Sequence, residues 1–204
     1  AHGISSFNCT LTRSRWLGSR ARVTDVPSTL HETLTTLLQA QFGTTATVAR
    51  LAPLAGDAST RRYARVWLHG ADVPDTAIVM LLADQGTAIS SEELAVFEAP
   101  PTELPYLNVA RFLHGVGVAV PATYIEAAAQ GILVLEDVGD VPLWDVVQGQ
   151  NDAVVLQQYQ AAIDQLIQLQ YQGTRQRDDT CIAFQQAFDE RLFLWEFEHF
   201  IEYG

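Results

Sequence analysis

Between residues 28 and 140 the spacing of apolar positions changes several times, and each change predicts an element. In "STLHETLTTLLQAQF", residues 28–42, Leu30, Leu34, Leu37, Leu38 and Phe42 recur every three or four positions. That spacing lines one side of an α-helix. Thr29 and Glu32 have capping-box spacing, and Gly43 is a natural stop. Strand signals follow. "TATVARLAPL" (45–54) and "RRYARVWLH" (61–69) are short and partly alternating, and "TAIVMLLA" (Thr76 to Ala83) is a continuous apolar run of buried-strand length. A small-residue turn, Gly56-Asp57-Ala58-Ser59-Thr60, joins the first two as a hairpin, and Gly70 to Asp75, with Pro74, joins the second to the third. Residues 85–105 are polar with three prolines at the end, and read as a loop with one helical turn near Glu92. "YLNVARFLH" predicts a short helix ended by Gly115 and Gly117, and "VPATYIEA" and "GILVLEDVG" predict two more strands turning at Gln130-Gly131. The expected class is α+β: five strands, mainly antiparallel because the connections are short, with one helix inserted between the third and fourth.

After Asp140 the period becomes helical. "NDAVVLQQYQAAIDQLIQLQYQ" predicts a long helix capped by Asn151, with Val155, Tyr159, Ala162, Ile163 and Leu166 on one side. "CIAFQQAFDERLFLWEFEHFIEY" predicts another, rich in aromatics and acids. The chain therefore divides into three: residues 1–27, an expected disordered leader; residues 28–140, a sheet-based lobe; and residues 141–204, the start of a helical lobe. The leader carries four arginines and no acid before Asp25, a weak likeness to a transit peptide.

Composition narrows the function. The 204 residues are 48% hydrophobic, enough for a core, yet no run approaches 18 apolar residues, so no transmembrane helix is expected. A formal charge of −12 disfavours a broad nucleic-acid surface, which needs a basic face. Cys9 and Cys181 lie far apart without metal-ligand spacing, so no zinc site is expected, and free thiols suit a reducing, cytoplasmic compartment. All twelve basic residues are arginine. Any mechanism that needs a lysine is excluded for this chain.

Arg61 and Arg62 directly follow the hairpin turn, where a guanidinium can reach phosphate oxygens in bidentate fashion. The plainer reading is two solvated strand arginines paired with surface acids. Together, "LAGDASTRRYARV", "ELPYLNVARFLHGVGVAVP" and "GILVLEDVGD" resemble the aminoglycoside phosphotransferase family, which has a protein-kinase-like fold. They are most similar to its bacterial branch of N-acetylmuramate/N-acetylglucosamine kinases, which act at the anomeric hydroxyl of cell-wall amino sugars. The resemblance covers about residues 30–204.

The resemblance implies a small lobe binding ATP with Mg²⁺. The hairpin Gly56, Asp57, Ala58, Ser59, Thr60, Arg61 and Arg62 would cover the phosphates with backbone N–H groups and guanidinium, while Asp57 would cap the turn's own amides. The fifth strand would run into an interlobe connector where Glu136, Asp137 and Val138 hold adenine by backbone groups and Gly139 supplies the bend. Ala64, Val66, Ile78 and Leu135 would line the adenine slot, or serve equally as sheet core. Met80 stands where the strand lysine of ordinary kinases would be. Glu103 is the nearest acid to the position that would pair with such a lysine.

No sequence resembling the family's catalytic loop or its metal-binding strand is present, for none of the five histidines is followed by Arg-Asp or Gly-Asp. No catalytic or metal residue is therefore assigned within these 204 residues. The expectation is the nucleotide-binding first part of a small-molecule kinase with an amino-sugar acceptor, inactive on its own, with no nucleic-acid or membrane partner. The alternatives are a non-catalytic nucleotide-binding or interaction module and an aminoglycoside-type kinase.

Overall fold

The computed structural model describes residues 28–54, 61–82, 103–185 and 189–203. The hairpin turn Gly56 to Thr60, the helical turn expected near Glu92 and the leader lie outside the described residues.

Helix α1 (Ser28–Phe42) buries Leu34 and Leu38 completely, with Leu30, Leu37 and Phe42 at the margin. The apolar stripe thus faces the sheet as its spacing predicts. The threonines on the helix satisfy their hydroxyls locally: Thr33, Thr35 and Thr36 donate to the carbonyls of Thr29, His31 and Glu32 at 2.7–3.0 Å. Thr29 therefore lies inside the helix, which already includes Ser28; the capping box expected at Thr29 and Glu32 starts past the cap position. Gly43, at φ 100°, ends α1 and supports the turn into β1.

The strands are β1 (Thr47–Pro53), β2 (Arg62–His69), β3 (Thr76–Leu81), β4 (Thr123–Ala127) and β5 (Ile132–Glu136). They form one sheet in the order β1-β2-β3-β5-β4 with every neighbouring pair antiparallel. Helix α2 (Pro105–Gly115) is inserted between β3 and β4. Pro105, expected to close a loop, instead opens α2, where its missing N–H costs nothing. This is the α+β architecture of a protein-kinase-like small lobe, followed by helices.

The sheet has two apolar faces. On one, Val66, Leu68, Ala77, Val79, Ile132 and Val134 pack against α1. On the other, Met80, Leu133 and Leu135 pack with Leu104 and Leu107 from the α2 side, flanked by Tyr63, Ile78 and Tyr106. Strand period two decides which residue joins which layer.

After β5 come α3 (Leu143–Val147), a short helix not anticipated from the sequence, then α4 (Asp152–Arg175) and α5 (Glu190–Tyr203). Asn151 caps α4 as expected, its side-chain oxygen accepting from the Val154 amide at 3.1 Å. The side of α4 that docks differs from the expected stripe. Gln168 Nε2 donates to the Val116 carbonyl at 2.7 Å, and Gln165 Oε1 accepts from the Ala119 amide at 2.9 Å. Gly173 is buried beside Phe112. Tyr159, Ile163 and Leu166, on the predicted stripe, are exposed instead, as are Leu156, Ile167 and Tyr171. Phe193, Leu194, Phe197, Phe200 and Ile201 of α5 are exposed as well.

Candidate functional site

The face of the sheet turned toward α2 carries the polar residues of interest. Along β2, Ala64, Val66 and Leu68 are buried while Tyr63, Arg65 and Trp67 are half-buried. Tyr63 belongs to the layer with Ile78, Met80, Leu133 and Leu135, so alternation places Arg65 on that face too. Arg65 is opposite Ile78 in register. Ala64 and Val66 project the other way, Val66 into the α1 layer with Val79 and Val134. The four residues expected to line one slot are therefore divided: Ile78 and Leu135 share the α2 face, and Ala64 and Val66 do not reach it. Alternation forces this, because odd and even residues of β2 cannot share a face.

The same rule separates the two arginines at the hairpin. Arg62 is exposed as the first residue of β2 and alternates with Tyr63. Arg61 is half-buried, and its charge acts on the Tyr106 phenol of α2. Burial pushes that phenol up, the neighbouring Tyr63 adds to the rise, and Arg61 opposes it. Arg61 therefore lies with the α2 face, and Arg62 with the other. Gly56, Asp57, Ala58, Ser59 and Thr60 lie outside the described residues.

Met80 is nearly fully buried among Leu104, Leu107 and Leu133. β3 thus presents a flexible apolar side chain to α2, and the two are joined there by hydrophobic contact. Glu103, the acid nearest the position expected to pair with a kinase strand lysine, turns to the helix it precedes. It accepts from Arg111 and, at 3.0 Å, from Asn108 Nδ2. Those two contacts, Arg111 first, hold its carboxyl below the usual range.

The connector after β5 carries a dense polar network. Glu136 is fastened to the segment before β4: its amide donates to the Ala122 carbonyl at 2.8 Å, and its carboxylate accepts from the Ala122 amide at 2.9 Å. Asp137 is almost wholly buried at its side chain and is gripped by Arg65, with Nε to Oδ2 at 2.6 Å and Nη2 to Oδ1 at 3.0 Å. Arg65 also holds Asp140, through Nη2 to Oδ1 at 2.7 Å and through Nη1 to Oδ2. The Gly139 amide donates to Asp137 Oδ1 at 3.0 Å, with Gly139 at φ 87°, a conformation open to glycine at little cost. Thr76, the first residue of β3, also hydrogen-bonds the Asp137 carboxylate. Between these fixed points Val138 is 74% exposed. Its amide makes no hydrogen bond among the described residues.

The electrostatics follow the geometry. Burial pushes the Asp137 carboxyl up, but the Arg65 hydrogen bonds, the Gly139 amide and the Thr76 hydroxyl outweigh it and hold the group below its usual range. Asp140 is lowered by Arg65. Arg65 is raised by Asp140 first and Asp137 second, against desolvation. Beside this network the Arg50 guanidinium lies 4.1 Å from the Trp67 ring centre, across the β1–β2 register.

Of the expected connector residues, Asp137 joins Arg65 at one end of the α2 face, while Glu136 is fastened to Ala122 and Val138 is exposed. Arg61 lies at the other end of β2. Sequence reading missed Arg65 and Asp140. The signal was present: an arginine at a non-core position of an alternating strand, and a connector, "EDVGD", with more acids than a simple turn needs. Among the described residues no cluster of three or more His, Cys, Asp or Glu forms a metal-binding group, and Asp137 and Asp140 are both taken up by Arg65. These residues do not fit a Mg²⁺ ion, and none is assigned to it. No helix among the described residues is long and apolar enough to cross a membrane.

No family model matches the chain. Among curated proteins, an N-acetylmuramate/N-acetylglucosamine kinase of Pseudomonas aeruginosa is 31% identical over 125 residues, which is 60% of this chain and 30% of that protein. The chain thus matches less than a third of its relative's length. The similarity is to a kinase, and it supports a kinase-like relationship for this chain.

Proposed function

We propose that this polypeptide is the nucleotide-binding part of an ATP-dependent small-molecule phosphotransferase, with an amino sugar as acceptor at its anomeric hydroxyl. The observation that carries the reading is the layout of the α2 face. A connector with an exposed, unengaged backbone amide at Val138 stands at one end, and Arg61, beside the hairpin turn, stands at the other. In a kinase-like lobe the first holds the base and the second meets the phosphates. The similarity to an amino-sugar kinase supports both the reaction class and the acceptor class.

When bound, ATP supplies the phosphoryl group. The residues of this chain bind and orient it: the Glu136–Val138 backbone reads the base edge, Ile78 and Leu135 exclude water from its face, and Arg61 with the Gly56–Thr60 amides neutralises phosphate charge. Residues 28–140 form the nucleotide-binding lobe in this reading, and α4 and α5 begin a helical lobe. No residue among 1–204 is assigned as catalytic base or metal ligand in this reading. The absence of a His-Arg-Asp or His-Gly-Asp sequence within the chain equally favours a second reading, a nucleotide-binding module that performs no transfer.

Full-length protein incubated with ATP and a panel of amino sugars, aminoglycosides and choline decides between these. Phosphate on the anomeric oxygen of an amino sugar is the expected outcome. Transfer to choline or an aminoglycoside alone would overturn the acceptor assignment. Nucleotide binding with no transfer to any acceptor would favour the second reading.

A further inference from the structure

The fork that Arg65 makes is larger than a strand end requires. One guanidinium engages two carboxylates that lie three residues apart on the connector. The atoms it fixes flank Val138 on both sides. With Glu136 locked to Ala122 and Gly139 bonded to Asp137, the main chain from 136 to 140 is held at four residues, while Val138 is left presenting its amide. A turn that only had to reverse direction would need one such anchor.

Charge points the same way. The connector end of the α2 face carries Asp137 and Asp140 against Arg65 and the neighbouring Arg50, two carboxylates to two guanidiniums. The hairpin end carries Arg61. From Arg61 to Arg65 is four residues of extended chain, about 13 Å at roughly 3.3 Å per residue. A ligand with a neutral aromatic end and an anionic end is drawn along such a face with its anionic end toward Arg61.

We infer that Arg65 is a positioning residue, which by holding Asp137 and Asp140 in one fork presets the Glu136–Val138 backbone for the base of a purine nucleotide. Arg65 is thereby occupied at the base end, and phosphate contact falls to the hairpin arginine. The inference rests on the nucleotide-binding reading above. A lysine cannot replace this arginine, because a single ammonium lacks the planar fork that spans two carboxylates.

The test is calorimetric titration of full-length protein with ATP, adenosine and inorganic triphosphate. Arg65→Lys and Asp140→Asn should each weaken adenosine and ATP by the same factor, about tenfold, the size of one lost charge-assisted hydrogen bond. Both should leave triphosphate binding unchanged or slightly tighter. Arg61→Ala should show the converse pattern, losing ATP and triphosphate while keeping adenosine. A purely structural role for Arg65 would weaken all three ligands together and so overturn the inference. Wild-type adenosine affinity in Asp140→Asn, whose side chain is 71% exposed, would overturn it even if Arg65→Lys fails to fold. Wild-type protein that binds none of the three ligands would instead remove the nucleotide-binding reading itself.

Discussion

The sheet and the long helix α4 were built from equally clear apolar patterns, and they end in opposite environments. In the sheet, Val66, Val79, Leu133 and Val134 are almost fully enclosed, because α1 covers one face and α2 the other. In α4, Ile163, Leu166 and Ile167 stand about half exposed, and the docked side is carried by glutamines and a glycine. An apolar stripe thus states that a face wants cover, while the rest of the fold decides whether cover is present. Where strands pair on both sides the two agree. Where a helix touches the lobe along one edge they part.

The sharpest way to break this comparison is to truncate one residue from each region. Leu34→Ala removes a fully buried side chain from the α1 layer and should cost about 2–5 kcal/mol. Ile163→Ala removes the same class of side chain from an exposed face and should change stability by less than about 0.5 kcal/mol. Urea unfolding of the two variants reads both values, and equal losses would mean that the α4 face is covered in solution.

A smaller effect tests the joint between the regions. Gly117 has φ 81°, and a Cβ there would meet Gln168 Nε2 at 2.8 Å. Gly117→Ala should therefore cost more than about 1 kcal/mol, and hydrogen exchange should quicken around residues 116–119 and in the middle of α4 before it does so in β3. Smaller again, Asn151→Ala should cost about 1 kcal/mol through loss of the cap, with faster exchange at the start of α4 and an unchanged sheet.

The smallest expected effect concerns acid. Asp137 and Asp140 have native carboxyl groups below the usual carboxylate range. Each contributes stability that is present above its unfolded value, near 3.9, and is lost as pH falls toward the lower native value. Asp140→Asn removes one of these contributions. Its stability should fall less steeply than that of wild type between about pH 6 and pH 2, and added salt should narrow the difference. Parallel acid limbs would mean that the Arg65–Asp140 contact is not held in solution.

Much of the fold was legible in the sequence. Elements at Ser28–Phe42, Thr76–Leu81 and Pro105–Gly115 were readable because their periods are unbroken and glycine or proline marks their ends. The order of elements followed from short connections. Less of the site was legible. Sequence order gives neighbours along a strand, but pairing and alternation assign them to faces. Arg61 and Arg62 therefore looked like one feature and are two, and Ala64 and Val66, readable equally as slot residues or as sheet core, are buried on the core side. Arg65 was passed over because its partners lie more than seventy residues away. Complementary charge between distant segments becomes visible only when β2 and the connector are brought side by side. The side on which α4 docks was not legible for a related reason. Gln165 and Gln168 are ordinary surface residues by composition, and acquire a role only from the backbone groups of Val116 and Ala119.

That glutamine joint has a thermodynamic consequence. Separating α4 from the α2–β4 segment would expose mainly amide and backbone groups, with little hydrocarbon apart from the Phe112–Gly173 contact. Opening with so little apolar exposure carries a small heat-capacity change and a weak dependence on denaturant. The equilibrium between docked and undocked helix should therefore shift only slightly in low urea, while the sheet retains the steep response of a hydrocarbon core. The molecule combines a lobe that melts as a unit with a helix whose attachment is governed by the exchange of one hydrogen-bond partner for water.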